Sequence, residues 1–236
     1  MKLIPAILLV GSLLTSVTAW GGIVVGGTRL IYPDNKNEVQ ISLSNKDLHS
    51  RHLVQSWVNN TDDSKAPFIV TPPLIKLDEG KETLLHVIYA GDSGALPQNK
   101  ESLFWLNVKS VAGVPDELKD KNRLQLAVHT RIKLFWRPSG LDHHDASSAY
   151  EKLTFTRAGN TLHVNNPTPF YVSFNALKVG DRDVTPADKS VAEAAAMMAA
   201  PFASASFVIP AGASGAVTWS AINDFGGVTK VARQPL

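Results

Sequence analysis

Seven histidines and 21 aspartates and glutamates are the side chains of this 236-residue chain best equipped to move protons or hold a metal, and there is no cysteine. Without cysteine, thiol catalysis and thiolate metal sites are absent. Metal binding needs ligands spaced so that they converge, and no histidine sits in such a motif. His143-His144-Asp145 come closest, but neighbours on an extended chain point to opposite faces, so they do not share one ion. His49 and His52 fall in a turn-rich segment and read as solvated. No Gly-x-Ser-x-Gly, phosphate loop or His-Glu-x-x-His occurs. Asn59-Asn60-Thr61 has the pattern of a glycosylation acceptor and equally that of a turn. On these grounds no catalytic residue, metal or cofactor is expected, and the chain reads as a non-enzyme. Two other classes stay open. A glycosidase would need folding to bring two carboxylates into one cleft, and a carbohydrate-binding sandwich would need clustered exposed aromatics or calcium-ligand carboxylates.

The elements that must position any site are strands. After Lys2, an apolar run from Leu3 to Val17 closes on small residues at Val17-Thr18-Ala19, the pattern of a cleavable export signal over residues 1–19. The run is shorter than the ~20 residues a spanning helix needs, and Trp20-Gly21-Gly22 follows it in place of a basic flank, so no membrane anchor is expected. The formal charge of +2 with scattered basic residues excludes a nucleic-acid surface. Apolar and polar residues then alternate in many short, turn-bounded segments, which predicts an all-β sandwich. Strands are expected near Ile23 to Tyr32, over Val39 to Leu43, Leu53 to Asn59, Phe68 to Val70, Thr83 to Tyr89 and Leu103 to Val111, and from Arg123 onward. That is about seven, the number of an immunoglobulin-like domain. A turn-rich linker over 138–145 separates this domain, 22–137, from a second sandwich over 146–236. There, strands are expected at Leu153 to Thr156, Thr161 to Val164, Phe170 to Leu177, Ser206 to Ile209 and Ala216 to Ser220. The alanine-rich stretch Ala187 to Ala200, preceded by Pro186, favours a short inserted helix.

Residues 124–136 form the longest alternation. Leu124, Leu126, Val128, Ile132, Leu134 and Trp136 share one parity with Thr130, while Gln125, Ala127, His129, Arg131, Lys133 and Phe135 take the other. At ~3.3 Å per residue such a strand could reach about 40 Å, roughly twice the usual length. A long central core strand is the plain reading of this periodicity. An apolar strand exposed at an edge would instead be an aggregation hazard unless another chain pairs with it.

Seven stretches, in order, resemble the periplasmic pilus chaperones of the chaperone-usher pathway. They are Thr28 to Pro33, Val54 to Val58, Phe68 to Pro73, Leu96 to Val108, Arg131 to Pro138, Asn166 to Tyr171 and Ile222 to Gly226. One departure is Ala112, where the family pattern has proline; here proline is delayed to Pro115. The short connection from Val111 to Arg123 resembles the short-loop branch. The resemblance implies two immunoglobulin-like β-sandwich domains in a boomerang, which bind pilus or fimbrial subunits lacking a strand, lend them one, and pass them to an outer-membrane usher. By position, Leu124, Leu126 and Val128 are the lent residues, Arg29 and Lys133 bind the subunit's C-terminal carboxylate, and Glu101, Arg137 and Asp224 form an interdomain charge network. Taken alone, each of these charges could be an ordinary solvated side chain. The opposite parity of Lys133 and Leu126 suggests a bulge or twist between cleft and lent segment. The resemblance also implies a periplasmic location, makes the Asn59 sequon a mere turn, and leaves open a self-capping homodimer of the free protein. If the N-terminal run is an export signal, protein recovered from a periplasmic extract begins near Trp20 to Gly22 on N-terminal sequencing; intact precursor in membranes would contradict this.

Overall fold

The computed structural model describes residues 21–92, 94–114, 120–188 and 196–236, so the expected export signal lies outside the described residues. The first domain holds nine strands: β1 (Ile23–Val25), β2 (Arg29–Pro33), β3 (Val39–Asn45), β4 (His52–Asn59), β5 (Phe68–Thr71), β6 (Leu74–Leu77), β7 (Glu82–Tyr89), β8 (Ser102–Ala112) and β9 (Ala127–Arg137). They form two facing sheets, β1-β3-β7-β5 and β2-β9-β8-β4-β6. Alternation places Ile41, Leu43, Leu85 and Val87 of one sheet against Val54, Leu106, Leu134 and Trp136 of the other, and all eight are buried in a single core. Tyr32 joins that core through its ring. Its hydroxyl accepts from the Tyr89 amide at 3.0 Å and donates toward the Asn37 carbonyl at 3.0 Å, so its polar end is satisfied.

After Arg137 the chain turns and forms α1 (His143–Ser148), capped by the Asp142 side chain accepting from the His144 amide. The second domain holds β10 (Thr154–Ala158), β11 (Thr161–Asn166), β12 (Val172–Val179), β13 (Arg182–Asp183), β14 (Thr185–Pro186), β15 (Met198–Ala199), β16 (Ala203–Val208), β17 (Val217–Ala221) and β18 (Ala232–Gln234). Its sheets run β10-β11-β16-β14 and β13-β12-β17-β18, with β15 also pairing β12. Phe155 and Trp219 pack at 4.3 Å between ring centroids in its core. Fully buried Asn166 closes the Asn166-to-Phe170 turn, donating to the Phe170, Ala199 and Ala200 carbonyls and accepting from the Thr168 amide.

Several sequence expectations are corrected here. The opening strand is two strands in different sheets. The chain crosses over at Gly26, where a Cβ would lie 2.1 Å from the Ser42 hydroxyl, so only glycine allows so close an approach. Leu74–Leu77 is an additional strand: its alternation is too short to stand out, and pairing with β4 creates it. His52 is buried at the start of β4, not solvated, with Nε2 3.5 Å from Asp47. His143 and His144 are helical rather than extended. Of the alanine-rich stretch expected as a helix, residues 189–195 lie outside the described residues, while Met198 and Ala199 are a strand held by Val172 and Ser173.

Two corrections concern β9. It pairs with β8 residue for residue from Ser102↔Trp136 to Val111↔Ala127, so no bulge interrupts it. It also begins at Ala127 rather than Arg123: β8 ends at Ala112 and its pairing with β9 stops at Val111↔Ala127, while the Gln125 side-chain Nε2 donates back to the Ala112 carbonyl at 3.0 Å. On its other side β9 is covered by the parallel strand β2 over Lys133 to Arg137 alone. Residues 127–132 therefore present a strand edge with no partner among the described residues. The even-numbered face passes from the core at Leu134 and Ile132 into solvent at Val128, Leu126 and Leu124, which are 57%, 69% and 85% exposed. Leu134→Ala should cost about 2–5 kcal/mol in urea unfolding. Leu126→Ala should change stability by less than about 0.5 kcal/mol. Equal losses at both sites would mean that the even face does not leave the core.

Candidate functional site

Because β9 runs without a bulge, its odd residues Arg131, Lys133, Phe135 and Arg137 share the outer face of the sheet, opposite the core. The second domain packs on the lower part of this face. Phe135, Leu103, Trp105 and Met198 form an apolar seam between the domains, and Tyr171 lies 5.5 Å from Phe135 between ring centroids.

Beside the seam, buried Arg137 gathers both predicted carboxylates. Its Nε donates to Glu101 Oε1 at 2.8 Å and its Nη2 lies 2.7 Å from the same oxygen. Nη1 and Nη2 donate to the two Asp224 oxygens at 2.7 and 2.9 Å in a fork. The sequence reading missed the other partners. Nη1 also donates to His143 Nδ1 at 2.8 Å; since a guanidinium has donors alone, that ring nitrogen is the acceptor. The second Glu101 oxygen accepts from the Tyr171 amide at 2.7 Å, and the Glu101 amide donates to the Pro169 carbonyl at 2.9 Å. The predicted trio is thus one network tying β8 and β9 to the Pro169–Tyr171 segment and to the loop after β17. Burial raises the Glu101 carboxyl above its ordinary value even against the attraction of Arg137. Burial also works against the Arg137 charge, yet the bonds to Asp224 and Glu101 leave that guanidinium with a raised pKa.

Arg29 and Lys133 are direct cross-strand partners in the parallel β2–β9 pair, with nothing but the strand spacing, ~4.8 Å, between their backbones. Arg29 is buried, donates from Nη1 to the Ile222 carbonyl at 2.7 Å, and lies 5.7 Å from the Phe135 ring centre. Its Nε is buried with no hydrogen-bond partner. Lys133 reaches across the domain boundary to the Ser173 hydroxyl at 3.1 Å. Ser173 had no sequence signal, because only folding sets β12 against β9. Burial, and then the Arg29 charge, lower the Lys133 pKa from 10.5 to about 8. Two adjacent, partly desolvated cations, with one buried guanidinium donor left unsatisfied, concentrate positive charge between the domains. Leu124, Leu126 and Val128 stand apart from this cleft, above the unpaired edge of β9. His49 is an exposed loop residue, and among the described residues no group of three His, Asp or Glu converges as metal ligands would.

Comparison with known proteins agrees with this architecture. Residues 22–142 match the family described as pili and flagellar-assembly chaperone, PapD N-terminal domain, and residues 148–232 match the pili assembly chaperone PapD, C-terminal domain. The chain belongs to this family of pili assembly chaperones. It is 40% identical over 209 residues to the probable fimbrial chaperone LpfB of Escherichia coli O157:H7, covering 87% of this chain and 85% of that protein. Among solved structures it resembles the periplasmic chaperone SfaE, with 34% identity and a TM-score of 0.73 over 90% of this chain and 98% of that one. It also resembles a chain of the Salmonella enterica SafA pilin–SafB chaperone complex, with 31% identity and a TM-score of 0.75 over 91% of this chain and 96% of that one.

Two outcomes follow from the site's electrostatics. Between pH 8 and 10.5 unfolded Lys133 holds its proton while folded Lys133 has released it, so its contribution to stability rises with pH across that window and is lost as pH falls through 8. Lys133→Met should therefore raise the unfolding free energy at pH 7 by about 1–3 kcal/mol, with a smaller gain at pH 10. A pH-independent gain would assign the effect to packing. Arg137→Ala strands buried Glu101 without its cation and should cost about 3–5 kcal/mol, with lower yield and a broader distribution of domain orientation in small-angle scattering. Unchanged scattering and yield would mean the network does not set the domain arrangement.

Proposed function

We propose that this protein is a periplasmic, non-enzymatic chaperone that holds fimbrial subunits by lending them a strand, and passes them to an outer-membrane usher. The observation that carries this reading is β9. One continuous strand is core in its second half, has an unpaired edge in its first half, and meets Arg29 and Lys133 where that edge ends. A subunit lacking a strand would pair its backbone with residues 121–132, and Leu124, Leu126 and Val128 would fill its groove as Ile132 and Leu134 fill this domain's own core. The subunit's terminal carboxylate would take the forked donors of Arg29 and the ammonium of Lys133. That anchor would set the register of pairing, since a slip by one residue turns every apolar side chain of the lent segment away from the groove.

Membership of the chaperone family supports the role, the likeness to the SafA–SafB complex supports a subunit as the partner, and the likeness to SfaE supports the periplasm. Delivery to an usher rests on the family role alone. Binding and release by strand pairing need no bond-making chemistry.

A folded Lys133→Ala or Leu126→Glu protein should lose a co-expressed fimbrial subunit in co-purification. Removing one partner of a desolvated charge pair costs about 2–5 kcal/mol, and a carboxylate in an apolar groove has no partner there. Circular dichroism confirms the fold. Wild-type recovery of the subunit by both variants would sink the strand-lending reading.

A further inference from the structure

The Ile222-to-Gly226 stretch presents one large apolar side chain that neither the charge network nor the cation pair uses. Phe225 is 98% exposed, the most exposed large apolar side chain among the described residues. It stands on a turn that is pinned from several sides. Asn223 Oδ1 accepts from the Phe225 and Gly227 amides at 3.0 and 2.9 Å, and the Asn223 amide donates to the Gly227 carbonyl at 2.8 Å. The Ile222 carbonyl is held by Arg29, and Asp224 is held by Arg137. Gly226, at φ +82°, packs so closely on the first domain that a Cβ there would lie 2.9 Å from the Thr28 hydroxyl. A fully exposed phenylalanine on a frayed loop would be unremarkable. This one is presented by a turn that four side chains immobilise, so little ordering entropy remains to be lost when something covers it. Val228, bridged to Ile222 across the same hairpin, and Val231 extend the apolar surface.

The position of the turn identifies what covers it. Thr28 immediately precedes β2, and β2 stops covering β9 at the Arg29–Lys133 pair. A strand added along residues 127–132 would lie in line with β2, with its end abutting Thr28 and Arg29. A chain anchored there by its carboxylate advances ~3.3 Å per residue, so its last few residues run out from Thr28, the residue on which the Phe225 turn packs through Gly226. Resting on the proposed carboxylate anchor, we infer that Phe225, with Val228 beside it, is a specificity contact that selects an apolar side chain near the C-terminus of the bound subunit. The anchor reads that a chain ends; Phe225 reads which side chain comes just before the end.

The test uses the full-length mature protein and fluorescent nonapeptides of alternating valine and threonine. Each is made with a free C-terminal carboxylate and also as the C-terminal amide, and leucine or serine is placed in turn at the second, third and fourth positions from the end. Leucine at one of these positions should bind the wild type about tenfold more tightly than serine, the effect of covering roughly half of a large apolar side chain. Phe225→Ser should abolish that preference while leaving circular dichroism unchanged and retaining the advantage of a free carboxylate over a C-terminal amide. If the carboxylate advantage is present in the wild type but leucine gives no preference at any position, or the preference survives in Phe225→Ser, the inference about Phe225 fails and the anchor stands. If amide and carboxylate peptides bind the wild type equally, the anchor itself fails and the inference with it.

Discussion

A single buried guanidinium bridges the two domains. Arg137 ends β9, and its donors are divided among a carboxylate of the first domain, a carboxylate of the second and a histidine of α1. No apolar side chain could replace this, because the bonds fix direction as well as proximity. The seam of Phe135, Trp105, Met198 and Tyr171 supplies contact area but tolerates sliding, whereas a forked guanidinium–carboxylate pair does not. Desolvating three charges works against the gain from pairing them, so the network's contribution lies in geometry more than in net stability.

That geometry determines the state of the cations. With the second domain held where Arg137 places it, Ser173 meets Lys133 and the Ile222 carbonyl meets Arg29. The cleft is deep enough to lower the Lys133 pKa and shallow enough to leave donors unused. Stability is given up at this point: a lysine that folding partly dehydrates, beside another cation, weakens the free protein. Such sites persist where an anionic ligand offsets the strain. In the proposed role that ligand is the end of another chain.

β9 links these parts through parity. Its even residues from Ile132 on fill a core and its odd residues from Lys133 on face the second domain, and the unbroken register with β8 keeps the two sets separate over ten pairs. The same alternation that buries Leu134 exposes Val128, because the facing sheet no longer covers that end of the strand. An exposed apolar edge is ordinarily suppressed, and its retention here beside two buried cations is what the proposed strand-lending role accounts for.

Much of this was legible in the amino-acid sequence. Period-two alternation and turn residues marked most of the strands, since a half-buried strand must alternate wherever it occurs. The ordered motifs placed Arg29, Lys133, Glu101, Arg137 and Asp224 among the residues to watch. Tertiary structure alone decided the rest. The division of residues 23–32 between two sheets depends on Ser42 lying against Gly26, and strand Leu74–Leu77 depends on β4. The roles of Ser173 and Tyr171 arise from contacts 40 and 70 residues apart in sequence, and the burial of His52 and the bond from Arg137 to His143, six residues on, arise from how the chain folds back. The exposure of Leu124 and Leu126 was implied by the family resemblance and by the length of the segment, but not by periodicity: alternation reports which side chains share a face, but whether that face is covered depends on where the neighbouring strands stop.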